Sequence, residues 1–160
     1  MLVPAALYKD EINKELTARV YTDEYFYFSG TGHTHTLRNL DLADGIYDYA
    51  IVDSEGTLLG IFSYRVCCSD SIDCISVYSF EKNNPIVVID VYREMKRLVK
   101  EYRRVEWGVV SGNKIKPAYD KFCKKYNGQI MKFRDCTYDN HGKLHSEYRY
   151  EILQSDWRDK

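Results

Sequence analysis

IDCISVYSFEKNNPIVVIDVYREMKRLVKEYRRVEWGVV, residues 72–110, decides the fold. Its first nine residues, Ile72 to Phe80, carry apolar side chains at both odd and even positions, the pattern of a central strand covered on both faces. Asn84 and Pro85 then supply a helix cap and a first-position proline. Val88, Val91, Tyr92, Met95, Leu98, Val99 and Tyr102 follow at helical spacing. Lys96, Arg97, Lys100 and Arg103 come late, where positive charge suits the helix dipole. VEWGVV, residues 105–110, reads as a second strand. Strand, helix and strand with short joints predict a βαβ unit with parallel strands and a right-handed crossover.

Upstream, Tyr47–Asp53 and TLLGIFSYRVC, joined by Ser54, Glu55 and Gly56, predict a β-hairpin. Pro4 to Val20 is expected to be a helix, with Tyr8, Ile12, Leu16 and Val20 on one face and Lys9, Asp10, Glu11 and Lys14 on the other. TDEYFYFSG is ambiguous, and Thr31 to Gly45 reads as a polar loop. Downstream, Lys114 to about Tyr126 is expected to be helical and to stop at Asn127-Gly128. QIMKFRDCTYD and KLHSEYRYEIL form a closing hairpin around Asn140, His141 and Gly142. The whole predicts an α+β fold with a mixed, mostly antiparallel sheet holding one parallel pair.

The 160 residues fit one domain, 1–160, and 44% are apolar, enough for a sizeable core. A formal net charge of -1 argues against a general nucleic-acid binder. The apolar stretches are too short to cross a bilayer, so no membrane association is expected. Met1 to Asp10 lack the pattern of a secretory leader. Five cysteines, an odd number with no CxxC pair, point to free thiols in the cytoplasm rather than to disulfides or zinc.

Ligands of open sheets favour the carboxyl ends of parallel strands. Here that place is Glu81 to Ile86, where a helix start and Lys82 together suit a phosphate; the plainer reading is an ordinary capped helix. His33 and His35 lack the further ligands a metal needs, so no metal site is expected. They suit substrate contact or a plain surface loop. Cys123 has no histidine nearby in sequence and reads as a buried or half-buried thiol. Tyr25 to Phe28 suit an apolar ligand pocket or the core.

The order of elements from Tyr47 to Leu153, together with SGNKIKPAYDKFCKKYNG, resembles the acetyl-CoA-dependent N-acetyltransferases of the GNAT superfamily, as a divergent member. The second segment is similar to the family pattern NxxAxxxYEKxGF, with Asn113 and Tyr119 at the motif positions. Two departures stand out: EKNNPIV has no glycine where the family's phosphate loop has several, and Tyr119 lies one residue closer to Asn113 than usual. The resemblance implies an acyltransferase that moves acetyl from acetyl-CoA to an amine on a small molecule or a protein. It implies that Tyr78, Ser79 and Phe80 hold pantetheine and the thioester, that Lys82, Asn83, Asn84, Ile86 and Val87 hold the pyrophosphate, and that Asn113 contacts cofactor or acceptor. Tyr119 would be the general acid, although it also reads as one of fifteen ordinary tyrosines. Glu24 and Glu81 are candidate bases, or solvated surface charges. The rival expectation is a catalytically degenerate binding or interaction module of the same shape. The closing hairpin offers an edge along which two copies could pair.

Overall fold

A computed structural model describes residues 1–19, 45–82, 84–139 and 141–158. The βαβ unit is present. Strand β4 (Ser71–Ser79) leads into helix α2 (Pro85–Glu101), which returns to strand β5 (Arg104–Val110), and β4 and β5 are parallel. Asn84 caps α2 as its sequence position demands: its side-chain oxygen accepts from the Ile86 amide at 2.9 Å, and Pro85 fills the first turn.

Seven strands form one sheet in the order β1-β2-β3-β4-β5-β7-β6. Strands β2 (Ile46–Val52) and β3 (Leu58–Cys67) are the predicted hairpin, with Gly56 at φ +84° in its turn. The Asp53 carboxylate accepts from the Thr57 and Glu55 amides at the same turn. Strands β6 (Gln129–Tyr138) and β7 (Leu144–Leu153) close the chain, and β7 rather than β6 pairs with β5. Every pairing except β4 with β5 is antiparallel.

The first helix is shorter than expected. Leu2–Pro4 form an edge strand, β1, against Tyr49 to Ile51, and Ala5–Tyr8 make a single 3-10 turn. Helix α1 then runs over Lys9–Arg19. The helical period starts only at Tyr8, and Pro4 is extended, as edge-strand prolines can be. Helix α3 (Lys116–Lys125) ends with Asn127, not Gly128, in the left-handed region at φ 55°. Gly128 is needed for another reason: a Cβ there would lie 2.4 Å from the Glu151 carbonyl oxygen. A last turn, α4 (Ser155–Arg158), follows β7 and had no counterpart in the expected pattern.

Helices cover both faces. On one, Ile12 of α1 packs with Ala50, Val52, Ile61, Tyr78 and Phe80. On the other, α2 and α3 bury Val87, Val91, Met95, Leu98, Phe122 and Cys123 against Phe62, Ile72, Val105, Trp107 and Tyr150. Trp107 and Tyr150 stack at 5.1 Å across β5 and β7. Each fully buried aliphatic side chain contributes about 1.5–3 kcal/mol.

Candidate functional site

The two parallel strands are paired over only part of their length. Ser71, Ile72 and Ile75 of β4 oppose Arg104, Val105 and Trp107 of β5, and the register shifts between Ile72 and Ile75. Cys74, inside that shift, sits at φ 55°, a bulge that bends and twists the strand. Beyond Ile75 and Trp107 the strands part. β4 stays with β3 as far as Ser79, while β5 stays with β7 as far as Val110. A cavity of about 310 Å³ occupies the wedge between them.

Strand alternation sorts the residues along the open part of β4. Val77 faces the α2–α3 layer; Tyr78 and Phe80 face α1. The Phe80 amide donates to the Leu59 carbonyl at 2.9 Å, so it is already used within the sheet. Tyr78, two residues back, presents its backbone to β3 as well. Of the three positions implied for the thioester, Ser79 is the one whose backbone alternates toward the wedge, and Val77 joins it. Val77 was not anticipated.

The start of α2 forms one mouth of the cavity, with Glu81, Lys82, Asn84 and Val87 in the wall. Its amide donors are partly committed. Pro85 has none, Ile86 gives its amide to the Asn84 side chain, and Val88 donates to the Asn84 carbonyl at 3.3 Å. Asn84 also donates to Glu81 Oε2 at 2.7 Å, which ties that carboxylate to the cap. The Ile86 side chain lies outside the wedge, in a depression with Met1, Leu2 and Asp90. Asn83, Glu24, His33, His35 and Tyr25 to Phe28 lie outside the described residues.

Helix α3 supplies the other mouth. Asn113 lines the cavity, and its side-chain oxygen accepts from the Ile115 amide at 3.0 Å, which fixes the approach to the helix. Tyr119 stands one turn further on in the same wall. Its ring meets Trp107 and Tyr150 edge-on at 6.1 and 5.9 Å. Part of its surface opens to the cavity, yet burial pushes the phenol up to about 12, so it holds its proton well above neutral pH. Tyr150 beneath it donates to Asp120 Oδ1 at 2.8 Å. Burial raises the Asp120 carboxyl, but Lys116 at 2.8 Å and the Tyr150 hydroxyl outweigh it and hold the group below its usual value. This pair braces the platform on which Tyr119 rests.

Cys123 is fully buried, its thiol donating to the Gln129 carbonyl at 3.3 Å, and burial pushes it up to about 11, which is no setting for a nucleophile. All five cysteines are free. Among the described residues no group of three or more His, Cys, Asp or Glu could hold a metal, and no helix is long and apolar enough to cross a membrane.

Several wall residues escaped the sequence reading. Val88, Val91, Tyr92 and Met95 were legible as a helical stripe; Val91 and Met95 line the cavity as well as the core, while Val88 and Tyr92 line the cavity and are otherwise largely exposed. Gly108 had a signal of its own, a glycine inside a strand, which marks a bulge or a close approach. Arg19, at the end of α1 and 5.5 Å over the Phe80 ring, had none.

No family model matches the sequence, and no curated protein does. The likeness to solved structures is extensive. A spermidine N-acetyltransferase from Vibrio cholerae, in complex with CoA and spermine, superposes with a TM-score of 0.67 over 92% of each chain at 10% identity. A GCN5-related N-acetyltransferase from Brucella melitensis gives a TM-score of 0.61, covering 98% of this chain and 76% of that one at 17% identity. This chain therefore has the fold of the GNAT acetyltransferases, in a sequence far diverged from those two.

Proposed function

We propose that the protein transfers an acetyl group from acetyl-CoA to an amine. The observation that carries this reading is the wedge between β4 and β5, a cavity that reaches the starts of both α2 and α3 and has a protonated phenol in its wall. When bound, acetyl-CoA supplies an activated acyl thioester. The chain would hold its pantetheine arm along the unpaired edge of β4 at Val77 and Ser79. The pyrophosphate would meet Lys82 and the start of α2. Tyr119, a phenol that is neutral at pH 7 and that burial keeps neutral to higher pH, suits the proton donor to the departing sulfur. Asn113, in the same wall, would lie beside either ligand. Five free thiols suit the cytoplasm as the place of work. Glu81, bound to its cap, suits orientation of the loop better than proton transfer, so of the two protons an ammonium acceptor gives up, one passes to water and one restores the Tyr119 phenol.

One observation favours a second reading, a GNAT-shaped binding module without catalysis. The glycine-free loop spends its Ile86 amide on Asn84, leaving fewer donors for phosphate. Thermal unfolding with increasing acetyl-CoA separates the two. The enzyme reading expects stabilisation that grows with ligand, about 2.7 kcal/mol at a hundred times Kd. A flat profile at millimolar acetyl-CoA favours the module. The edge strand β6 would in either case offer its free backbone to a second copy, which sedimentation velocity would report as a dimer and contradict as a monomer.

A further inference from the structure

A surface helix ordinarily turns polar residues to water, and the outward face of α2 does not. Ile86, Val88, Ile89 and Tyr92 are 39, 52, 55 and 44% exposed, four large apolar side chains within two turns. At about 100° per residue, Ile86, Ile89 and Tyr92 follow one another along the outside of the helix. Arg93 and Lys96, both exposed, continue the same stripe one and two turns beyond Ile89. Val88 and Tyr92 also line the cavity, so the patch begins at its mouth.

The rim of the patch is positive. Arg93 is bonded to Asp90 at 3.0 Å yet is 74% exposed, so its charge still faces water. Lys125 of α3 donates to the Tyr92 hydroxyl at 3.1 Å, and Lys121 and Lys124 are exposed on the same helix. The acidic groups are committed: Asp90 is buried, Glu94 is held by Arg97, and Glu81 is bonded to Asn84. Exposed apolar side chains ringed by cations suit an acidic protein partner.

The same mouth is sparsely furnished for a nucleotide. CoA brings a pyrophosphate and a ribose phosphate. Among the described residues, Lys82 is the wall cation beside the start of α2; Pro85 has no amide to give, and the Ile86 amide is spent on Asn84. The slot for the arm is intact, with β4 unpaired to β5 from Ser76 to Ser79. A pantetheine arm carried on a protein is attached through a single phosphodiester, which one lysine can match.

We propose that the acyl donor is presented by a carrier protein. A small acidic protein docks on the outward face of α2, over Ile89 and against Arg93 and Lys96, and its serine-linked phosphopantetheine enters the wedge. This rests on the acetyl-transfer reading and extends its donor from CoA to a protein. The acetyl carbonyl carbon leaves the pantetheine sulfur for the amine nitrogen, the sulfur takes the Tyr119 proton, and the carrier departs with a free thiol.

Fluorescence titration compares three probes: acetyl-CoA, S-acetyl-pantetheine, and an acidic bacterial acyl carrier protein loaded with acetyl-phosphopantetheine. The loaded carrier should bind about tenfold or more tighter than acetyl-CoA, and S-acetyl-pantetheine within about threefold of acetyl-CoA, since the nucleotide adds little. Ile89→Glu sets a like charge against the partner at an exposed position, where the fold tolerates it. It should weaken the loaded carrier by about tenfold and leave acetyl-CoA within about twofold. Lys96→Glu should weaken the carrier less, mainly by slowing association. Acetyl-CoA that binds as tightly as the loaded carrier overturns the proposal, as does a carrier affinity unmoved by Ile89→Glu. Where acetyl-CoA and S-acetyl-pantetheine bind but the loaded carrier does not, this proposal falls alone; where none of the three binds, the acetyl-transfer reading falls with it.

Discussion

The lower and upper halves of the β4–β5 pair are built from similar residues and do opposite things. In the lower half, Ile72 and Val105 are fully buried and their strands are hydrogen-bonded, so the interior is continuous from β3 to β7. In the upper half, Val77 and Val109 are just as apolar but stand apart across a cavity. Side-chain chemistry does not separate the two halves; backbone geometry does. The bulge at Cys74 and the loyalty of each strand to its outer neighbour, β3 or β7, pull the upper half open. The teaching is that a site can be made by withholding strand pairing rather than by adding residues, and that its polar groups then come from the helices and strands on either side.

The contrast can be broken at its closed end. Ile72→Ala removes a fully buried side chain with no space to collapse into and should destabilise the fold by about 2–5 kcal/mol, measured by urea unfolding. A loss below about 1 kcal/mol would mean that the closed half is no more tightly packed than the open one. At the open end the expected effect is chemical. Tyr119→Phe deletes the phenol and keeps the ring against Trp107 and Tyr150, so stability should hold. Its kcat should fall by about a hundredfold with the acetyl-CoA KM within a few-fold, the usual size of a lost general acid. Because the phenol sits up to about 12, the wild-type rate should show no loss of this proton donor up to about pH 10. An undiminished kcat in the Phe variant takes the acid role from Tyr119.

How much of this was legible follows from what each feature depends on. The βαβ unit was readable because the Asn84-Pro85 cap and the four-residue period of α2 are local, and local signals survive folding. The hairpins were readable from turn residues, Gly56 and Gly142, both at positive φ. No residue pattern announces the wedge, since it depends on where pairing between strands about thirty residues apart stops. Arg19 reaches the cavity only because α1 crosses the sheet, which no periodicity in Lys9–Arg19 announces. Ile86 and Phe80 show the same gap from the other side. The resemblance implied Phe80 for the thioester and Ile86 for the pyrophosphate, whereas the β3 ladder takes the Phe80 amide and the Asn84 cap takes that of Ile86.

That competition for the Ile86 amide yields the smallest effect and the sharpest reading of the open half. In most helices a capping side chain is a pure gain. Here it occupies a donor at the very place where a pyrophosphate would dock, so stability and ligand affinity draw on one N–H group. Asn84→Gly keeps a residue type tolerated at the cap and should lower stability by only a few tenths of a kcal/mol. It also frees the Ile86 amide and releases Glu81 from its 2.7 Å bond to the Asn84 side chain, letting the carboxylate swing away from the mouth. Acetyl-CoA should then stabilise the variant more than the wild type at equal ligand concentration, although the unliganded variant melts slightly lower. A smaller stabilisation would show that the Asn84 carboxamide is itself a phosphate ligand, and that the glycine-free loop has replaced backbone donors with a side-chain one.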